Sequence, residues 1–368
     1  MVKTIGTRER PSRFQPVDLL SVPHVDALLI RLGLGPLDPE TTTSPRGRND
    51  NWAGTTAKGM HVFVKRFSGG FRQERLSRTR TVWERGQGRL PMPVLIGSDP
   101  EHALMVFEYL PNGETGTELA ADGLFDEELS SQAGSLVAAL HSLDPTGFDT
   151  SAHPLPPVGL LRALPFARYV EASGAELAMW RLLHNDAEVV RALEALRDED
   201  AAGAGTRLPI HGDMRLDQFL RAGGTLHLTD FEESRIADPA RDIGAFAGEW
   251  LFQATSDIPK RLAEASPLGH IPGHEEIVAT GAAEIEQQAP LVRAFFRSYL
   301  KHAPESVVAD EGLAVRAAAY AGWHMLDRML ASSESAAILS PVVKAAAGIG
   351  RTVLLAPAEF TSSLGLEG

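Results

Sequence analysis

The chain has 368 residues, of which 43% are hydrophobic and 23% charged, with no Cys. That length exceeds one small core and implies two lobes. The composition is that of an ordinary globular protein, and the lack of thiols excludes disulfides and thiolate metal sites. No uninterrupted apolar run approaches the ~18–20 residues needed to span a bilayer. No apolar segment follows the N-terminal basic residues as a secretory signal requires. A cytoplasmic location with no membrane partner is therefore expected.

The net charge of −13 is unevenly placed: residues 1–90 hold 16 Lys/Arg against 8 Asp/Glu, and residues 91–368 hold 19 against 40. Nucleic acid is a poor partner for such a chain. A basic front suits polyphosphate, and an acidic remainder suits a divalent cation or a cationic substrate.

In chain order, residues 1–15 read as a polar, Arg-rich arm. Leu19, Leu20, Val25, Leu28, Leu29 and Leu32 mark a short helix with a start signal at Pro23. Thr41-Thr42-Thr43, Trp52 to Thr56 and His61 to Phe67 predict three antiparallel strands, with turns at Gly47 to Asp50 and at Ala57-Lys58-Gly59. A helix is expected over 71–86, ended by Pro91-Met92-Pro93. Strands at 94–97 and 103–107 complete the sheet. Glu108 to Gly113 reads as a crossover to a second lobe. Beyond it the pattern is helical: Leu129, Ala133, Leu136, Val137, Leu140 and Leu143 share one stripe. Residues 151–207 are rich in Ala, Leu and Arg, and apolar runs at 243–252, 277–302, 311–331 and 336–355 predict a C-terminal bundle. No internal repeat or coiled coil is present.

The chemistry concentrates in His211-Gly212-Asp213-Met214-Arg215-Leu216-Asp217-Gln218 and in Asp230-Phe231-Glu232. A turn with one Asp and one side-chain amide, then a second Asp opening the next segment, is how phosphoryl-transfer enzymes place a base and metal ligands. Asp213 is the expected base. Gln218 and Asp230 offer hard oxygens suited to Mg²⁺ on the phosphates of ATP. His211 is expected to support the turn. Lys65 ends the alternating run Val62-Phe63-Val64-Lys65 and could reach phosphates, with Glu74 as the acidic partner and Glu84 in reserve. The loop from Gly47 to Gly54, with Asn49 in it, could cover the phosphates, although no P-loop is present. Glu108 and Leu110 of the crossover are the further nucleotide contacts expected. Asp238 and Asp242 are expected to cap a helix and brace the catalytic turn.

Phe63-Val64-Lys65, Leu140-His141-Ser142-Leu143, His211-Gly212-Asp213, Asp230-Phe231-Glu232 and Asp238-Pro239-x-x-Asp242 together resemble the aminoglycoside-phosphotransferase-like branch of the protein-kinase fold, from about Gly47 to about Phe246. The resemblance implies an α+β bilobal kinase-like fold, ATP and Mg²⁺. It predicts an arm and helix over 1–38, a small antiparallel β-rich N-lobe over 39–110 and a larger helical C-lobe over 111–368. Gln218 stands where most of that branch has Asn, and with Asp-Phe-Glu it looks like the maltokinase subgroup.

A narrower likeness is to kinase subunits of class V lanthipeptide synthetases. It rests on Gly47-Arg48-Asn49-Asp50-x-Trp52-Ala53-Gly54-x-Thr56, Val62-Phe63-Val64-Lys65-Arg66 and Arg215-Leu216-Asp217-Gln218. It implies Ser/Thr of a precursor peptide as acceptor, with a lyase or cyclase partner removing the phosphate. The alternatives are a small-molecule kinase acting on a sugar, aminoglycoside or amino alcohol, and a pseudokinase scaffold.

Overall fold

The computed structural model describes residues 17–45, 47–203, 205–267, 270–334 and 336–367. The arm expected at 1–15 lies outside them. The chain divides into two compact units, residues 1–76 with 93–109, and residues 77–92 with 110–368. The expected boundaries differ from this division in three places: the first helix groups with the sheet in unit 1, residues 77–92 belong to unit 2, and so does Leu110.

Unit 1 contains α1 (Pro23–Arg31), β1 (Asp50–Thr55), β2 (His61–Arg66), the start of α2 (Arg72–Gly86), β3 (Leu95–Asp99) and β4 (Leu104–Glu108). The strands form one antiparallel sheet in the order β1-β2-β4-β3. The period-2 pattern of β2 buries Val62 and Val64, and on this face lie Trp52, Leu104 and Val106. Val25, Leu28 and Leu29 of α1, spaced three and four apart, cover that face. Each such buried side chain stabilises the unit by about 1.5–3 kcal/mol before entropy is counted. Two expectations fail here. The strand at 41–43 shrinks to one bridge, Thr43 to Ala53. Leu20, placed on the helical stripe, sits in a 3-10 turn before α1 and is 87% exposed.

Unit 2 continues with β5 (Glu114–Thr115), α3 (Gly116–Ala121), α4 (Glu127–His141), α5 (Val158–Arg162), α6 (Phe166–Glu171), α7 (Gly174–His184) and α8 (Ala187–Ala202). There follow β6 (Leu208–Ile210), β7 (Phe219–Ala222), β8 (Thr225–Leu228), β9 (Arg235–Ala237), α9 (Ala240–Ala265) and α10 (His274–His302). The last helices are α11 (Glu305–Val308), α12 (Leu313–Ser333), α13 (Pro341–Leu355) and α14 (Pro357–Phe360). The expected stripe of α4 is buried against α10, in one core that also takes in α9. Gly134 lets α4 approach α10 closely, since a Cβ there would lie 2.2 Å from the Phe295 carbonyl oxygen. On the same helix Phe295 stacks on Phe246 of α9 at 3.9 Å. Two small sheets, β5-β7-β8 and β6-β9, carry the turns between these helices. Among the described residues no helix is long and apolar enough to cross a membrane.

Candidate active site

Strand β6 delivers the chain into the turn His211-Gly212-Asp213. The N–H groups of His211 and Gly212 donate to the two oxygens of Asp242, at 2.6 and 2.9 Å. Asp242 stands in the first turn of α9, and its Oδ2 also takes the Nε2–H of His141, the last residue of α4, at 3.0 Å. Burial opposes ionisation of Asp242. The hydrogen bonds from His141 and from the His211 amide outweigh it and hold the carboxyl below its ordinary range. One buried carboxylate thus fixes both amides that lead into Asp213. Gly212 is needed in the same turn: its φ is +83°, and a Cβ would meet the Glu233 carbonyl oxygen at 2.5 Å.

His211 donates through Nε2 to the Thr229 carbonyl at 2.8 Å, while Nδ1 faces the Asp213 amide at 3.4 Å. Its ring leans on Phe231. The imidazole is thereby spent on holding the turn. Asp238 accepts from the Ala240 amide at 2.9 Å at the start of α9 and pairs with Arg316 at 2.6 Å.

The Asp213 side chain is 39% exposed, so its carboxylate is open to a reactant. Arg215 Nη2 lies 3.6 Å from Asp213 Oδ2, and Arg215 Nε lies 3.3 Å from Asp217 Oδ1. Burial disfavours the Arg215 cation, but Asp213 and Asp217 overcome this and keep it charged. Asp217 itself is pushed up, chiefly by burial.

The β7–β8 hairpin pairs Phe219 with Leu228, which sets Gln218 beside Thr229. The Thr229 amide and hydroxyl both donate to the Gln218 carbonyl, at 2.9 and 3.1 Å. The Gln218 side-chain nitrogen bonds Asp217 at 3.3 Å, leaving the amide oxygen as the atom suited to a cation. Asp230 follows at φ 63°, ψ 58°, in the left-handed region, before a 3-10 turn at Phe231–Glu233. Hairpin register therefore brings Gln218 and Asp230 together although they are distant in sequence. Among the described residues no cluster of three His, Cys, Asp or Glu side chains could hold a metal. One amide and one carboxylate fit instead an ion that completes its shell from phosphates and water, as Mg²⁺ does.

In unit 1, Lys65 is 8% exposed on β2, opposite Asn51 and Met105, with Nζ 5.1 Å from the Phe67 ring centre. Asn49 is buried, and its Oδ1 accepts from the Ser68 amide at 3.2 Å, tying the loop to the end of β2. Glu74 is exposed in the first turn of α2. Glu84 pairs with Arg80 at 3.6 Å. Glu108 is exposed at the end of β4. Leu110 is half-buried at the start of the second part of unit 2.

The helix expected at 311–331 is present as α12, but its place beside Asp213 was not expected. Asp213 shares a cavity of about 30 Å³ with His153, Tyr320, Trp323, His324 and Asp327, among others. Glu249 of α9 accepts from His324 at 2.6 Å and meets Arg328 at 3.3 Å. Asp327 makes no hydrogen bond or ion pair among the described residues, and burial pushes its carboxyl up. The signal was present: His324, Asp327 and Arg328 fall at i, i+3 and i+4 within a largely apolar stretch of that helix. His153, fully buried beside Arg241 and Arg235, is held neutral first by burial.

Residues 44–276 match the model of the phosphotransferase enzyme family APH. No protein of curated function matches the chain. A choline/ethanolamine kinase family protein from Mesorhizobium loti shares 15% identity, covering 94% of this chain and 98% of its own, with a TM-score of 0.53. The amicoumacin kinase hAmiN, solved with AMP-PNP, Ca²⁺ and Ami, shares 14% identity over 90% of this chain and 93% of its own, also at 0.53. Both are likenesses of fold, a small antiparallel sheet followed by a larger helical part. With its family match spanning the sheet, the catalytic turn and the brace, the chain belongs to the phosphotransferase enzyme family.

Proposed function

We propose that the protein transfers the γ-phosphoryl group of ATP to the hydroxyl of a small-molecule acceptor, with Asp213 as the base. The observation that carries this is the partly exposed Asp213 on a turn whose two amides are pinned by Asp242, next to the hairpin that joins Gln218 to Asp230. The acceptor hydroxyl gives its proton to Asp213, its oxygen bonds to the γ-phosphorus, and the bond to the β-phosphate oxygen breaks to leave ADP. Gln218 and Asp230 are the residues that would hold Mg²⁺, which supplies charge neutralisation on the phosphates when bound. The solved neighbour with AMP-PNP and Ca²⁺ supports nucleotide and divalent metal. In this reading Lys65, with Glu74, and Asn49, Glu108 and Leu110 contact the nucleotide.

Family and neighbours favour a small molecule over a lanthipeptide precursor, and nothing in them supports a lyase or cyclase partner. Asp327 refines the acceptor. An unpaired carboxylate beside the base is relieved by an ammonium or a second hydroxyl arriving with the substrate. An amino alcohol, a neutral sugar and a Ser/Thr-rich peptide, each incubated with ATP and Mg²⁺ and weighed by mass spectrometry, decide the matter. Phosphate should appear on the amino alcohol, and Asp327→Asn should raise its KM about tenfold with little change in kcat. Phosphate on the peptide alone would return the assignment to the precursor reading.

A further inference from the structure

The brace behind the catalytic turn does not end at His141. Its Nδ1 lies 2.9 Å from the hydroxyl of Tyr299 on α10, and all three side chains in the row Tyr299, His141, Asp242 are fully buried. Tyr299 stands beyond residues 44–276, the part of the chain that matches the family. Two contacts deliver it: the close approach of α4 to α10 at Gly134, and the stack of Phe295, one turn earlier on α10, against Phe246. The rings of His141 and Tyr299 meet edge to face at 5.4 Å.

The direction of the protons follows from the partners. The Asp242 carboxylate can only accept, so His141 presents Nε2–H to it. The only hydrogen-bond partner of the Tyr299 hydroxyl among the described residues is His141 Nδ1. Were Nδ1 also to carry a proton, the hydroxyl proton would be left without an acceptor in a dry core, at about 1–3 kcal/mol for a buried unsatisfied donor. With Nδ1 bare, every atom in the row is used once: Tyr299 O–H to Nδ1, then Nε2–H to Asp242, then Asp242 to the His211 and Gly212 amides.

We infer that Tyr299 is a positioning residue: by donating to Nδ1 it fixes the His141 tautomer that keeps Asp242 on the catalytic turn. Without the hydroxyl, the bare Nδ1 is a buried acceptor with no donor, and the ring, tied through Nε2 alone, is free to swing away and deprive Asp242 of one of its three donors. The turn that carries Asp213 is then held by fewer bonds, while the nucleotide contacts proposed above are untouched.

The kinetic consequence rests on the proposed phosphotransfer, but the structural one does not, so the test has two arms. On wild-type protein labelled with ¹⁵N-histidine, NMR should show His141 protonated at Nε2, with Nδ1 bare and hydrogen-bonded. A proton resident on Nδ1 overturns the inference, whether or not an acceptor is known and whether or not any variant folds. In Tyr299→Phe that signature should be lost. Its kcat should fall about tenfold with KM for ATP unchanged, equivalent to ~1.4 kcal/mol, and adding Tyr299→Phe to His141→Gln should cost nothing further. Wild-type kcat in a folded Tyr299→Phe protein, or additive losses in the double variant, would refute it. A wild type that shows the signature and transfers no phosphate to any acceptor would count against the proposed activity and leave the positioning arrangement supported.

Discussion

At the scale of single residues the site turns on one carboxylate. Asp242 accepts three N–H groups with two oxygens, and an isosteric amide would set an NH₂ against at least one donor. Asp242→Asn should therefore lower unfolding stability by about 1–3 kcal/mol at neutral pH. The sign with pH follows. Asp242 titrates lower in the folded chain than in the unfolded one, so as pH falls the unfolded chain takes up that proton first. Its contribution is whole above the ordinary value of 3.8 and is lost as pH drops through the lower folded value. Urea unfolding of both proteins across pH should show the gap narrowing in acid; a gap that stays constant would mean Asp242 does not act as an ionised acceptor. Much of this was legible. His211-Gly212-Asp213 and Asp238-Pro239-x-x-Asp242 each declare a polar turn next to an apolar run. Tyr299 was not legible, because nothing in the pattern of α10 marks it as more than a buried aromatic, and the spacing of His324, Asp327 and Arg328 on α12 does not say which side of the molecule it faces.

At the scale of elements, the position of α10 depends on a missing side chain. Gly134→Ala would put a methyl group 2.2 Å from the Phe295 carbonyl oxygen, so the two helices must part. The expected loss is about 1–3 kcal/mol, as for overpacking elsewhere. Gly159→Ala, with open space around it, serves as the control and should be neutral or slightly stabilising. Equal urea midpoints for the two variants would contradict the close approach. The helices were readable because α4, α9, α10, α12 and α13 keep an apolar stripe over several turns. The strand expected at Thr41 to Thr43 was not, since three Thr residues signal β propensity but only Thr43 finds a bridge partner. Gln218 and Asp230 were read together from the sequence as metal ligands, but the bonds that set Thr229, the neighbour of Asp230, on Gln218 needed the structure, since they depend on the register of β7 with β8.

At the scale of the whole molecule, composition and charge offered no apolar run long enough to span a bilayer, made nucleic acid a poor partner and pointed to a polyphosphate and a divalent ion, and the family match then made the chain a phosphotransferase. The sequence motifs that resembled a peptide-modifying subgroup lie in the stretch from Gly47 to Thr56, on β2 and in the catalytic turn. In the reading proposed above the acceptor meets Asp327 of α12, which those motifs do not reach. The central claim is that Asp213 is the base of phosphoryl transfer from ATP. The decisive measurement compares wild type with Asp213→Asn for ADP release in the presence of an amino alcohol, alongside calorimetric affinity for ATP with Mg²⁺. In Asp213→Asn nucleotide affinity should stay within about twofold of wild type, and turnover should fall by a factor on the order of 100 or more. Wild-type turnover by Asp213→Asn would contradict it.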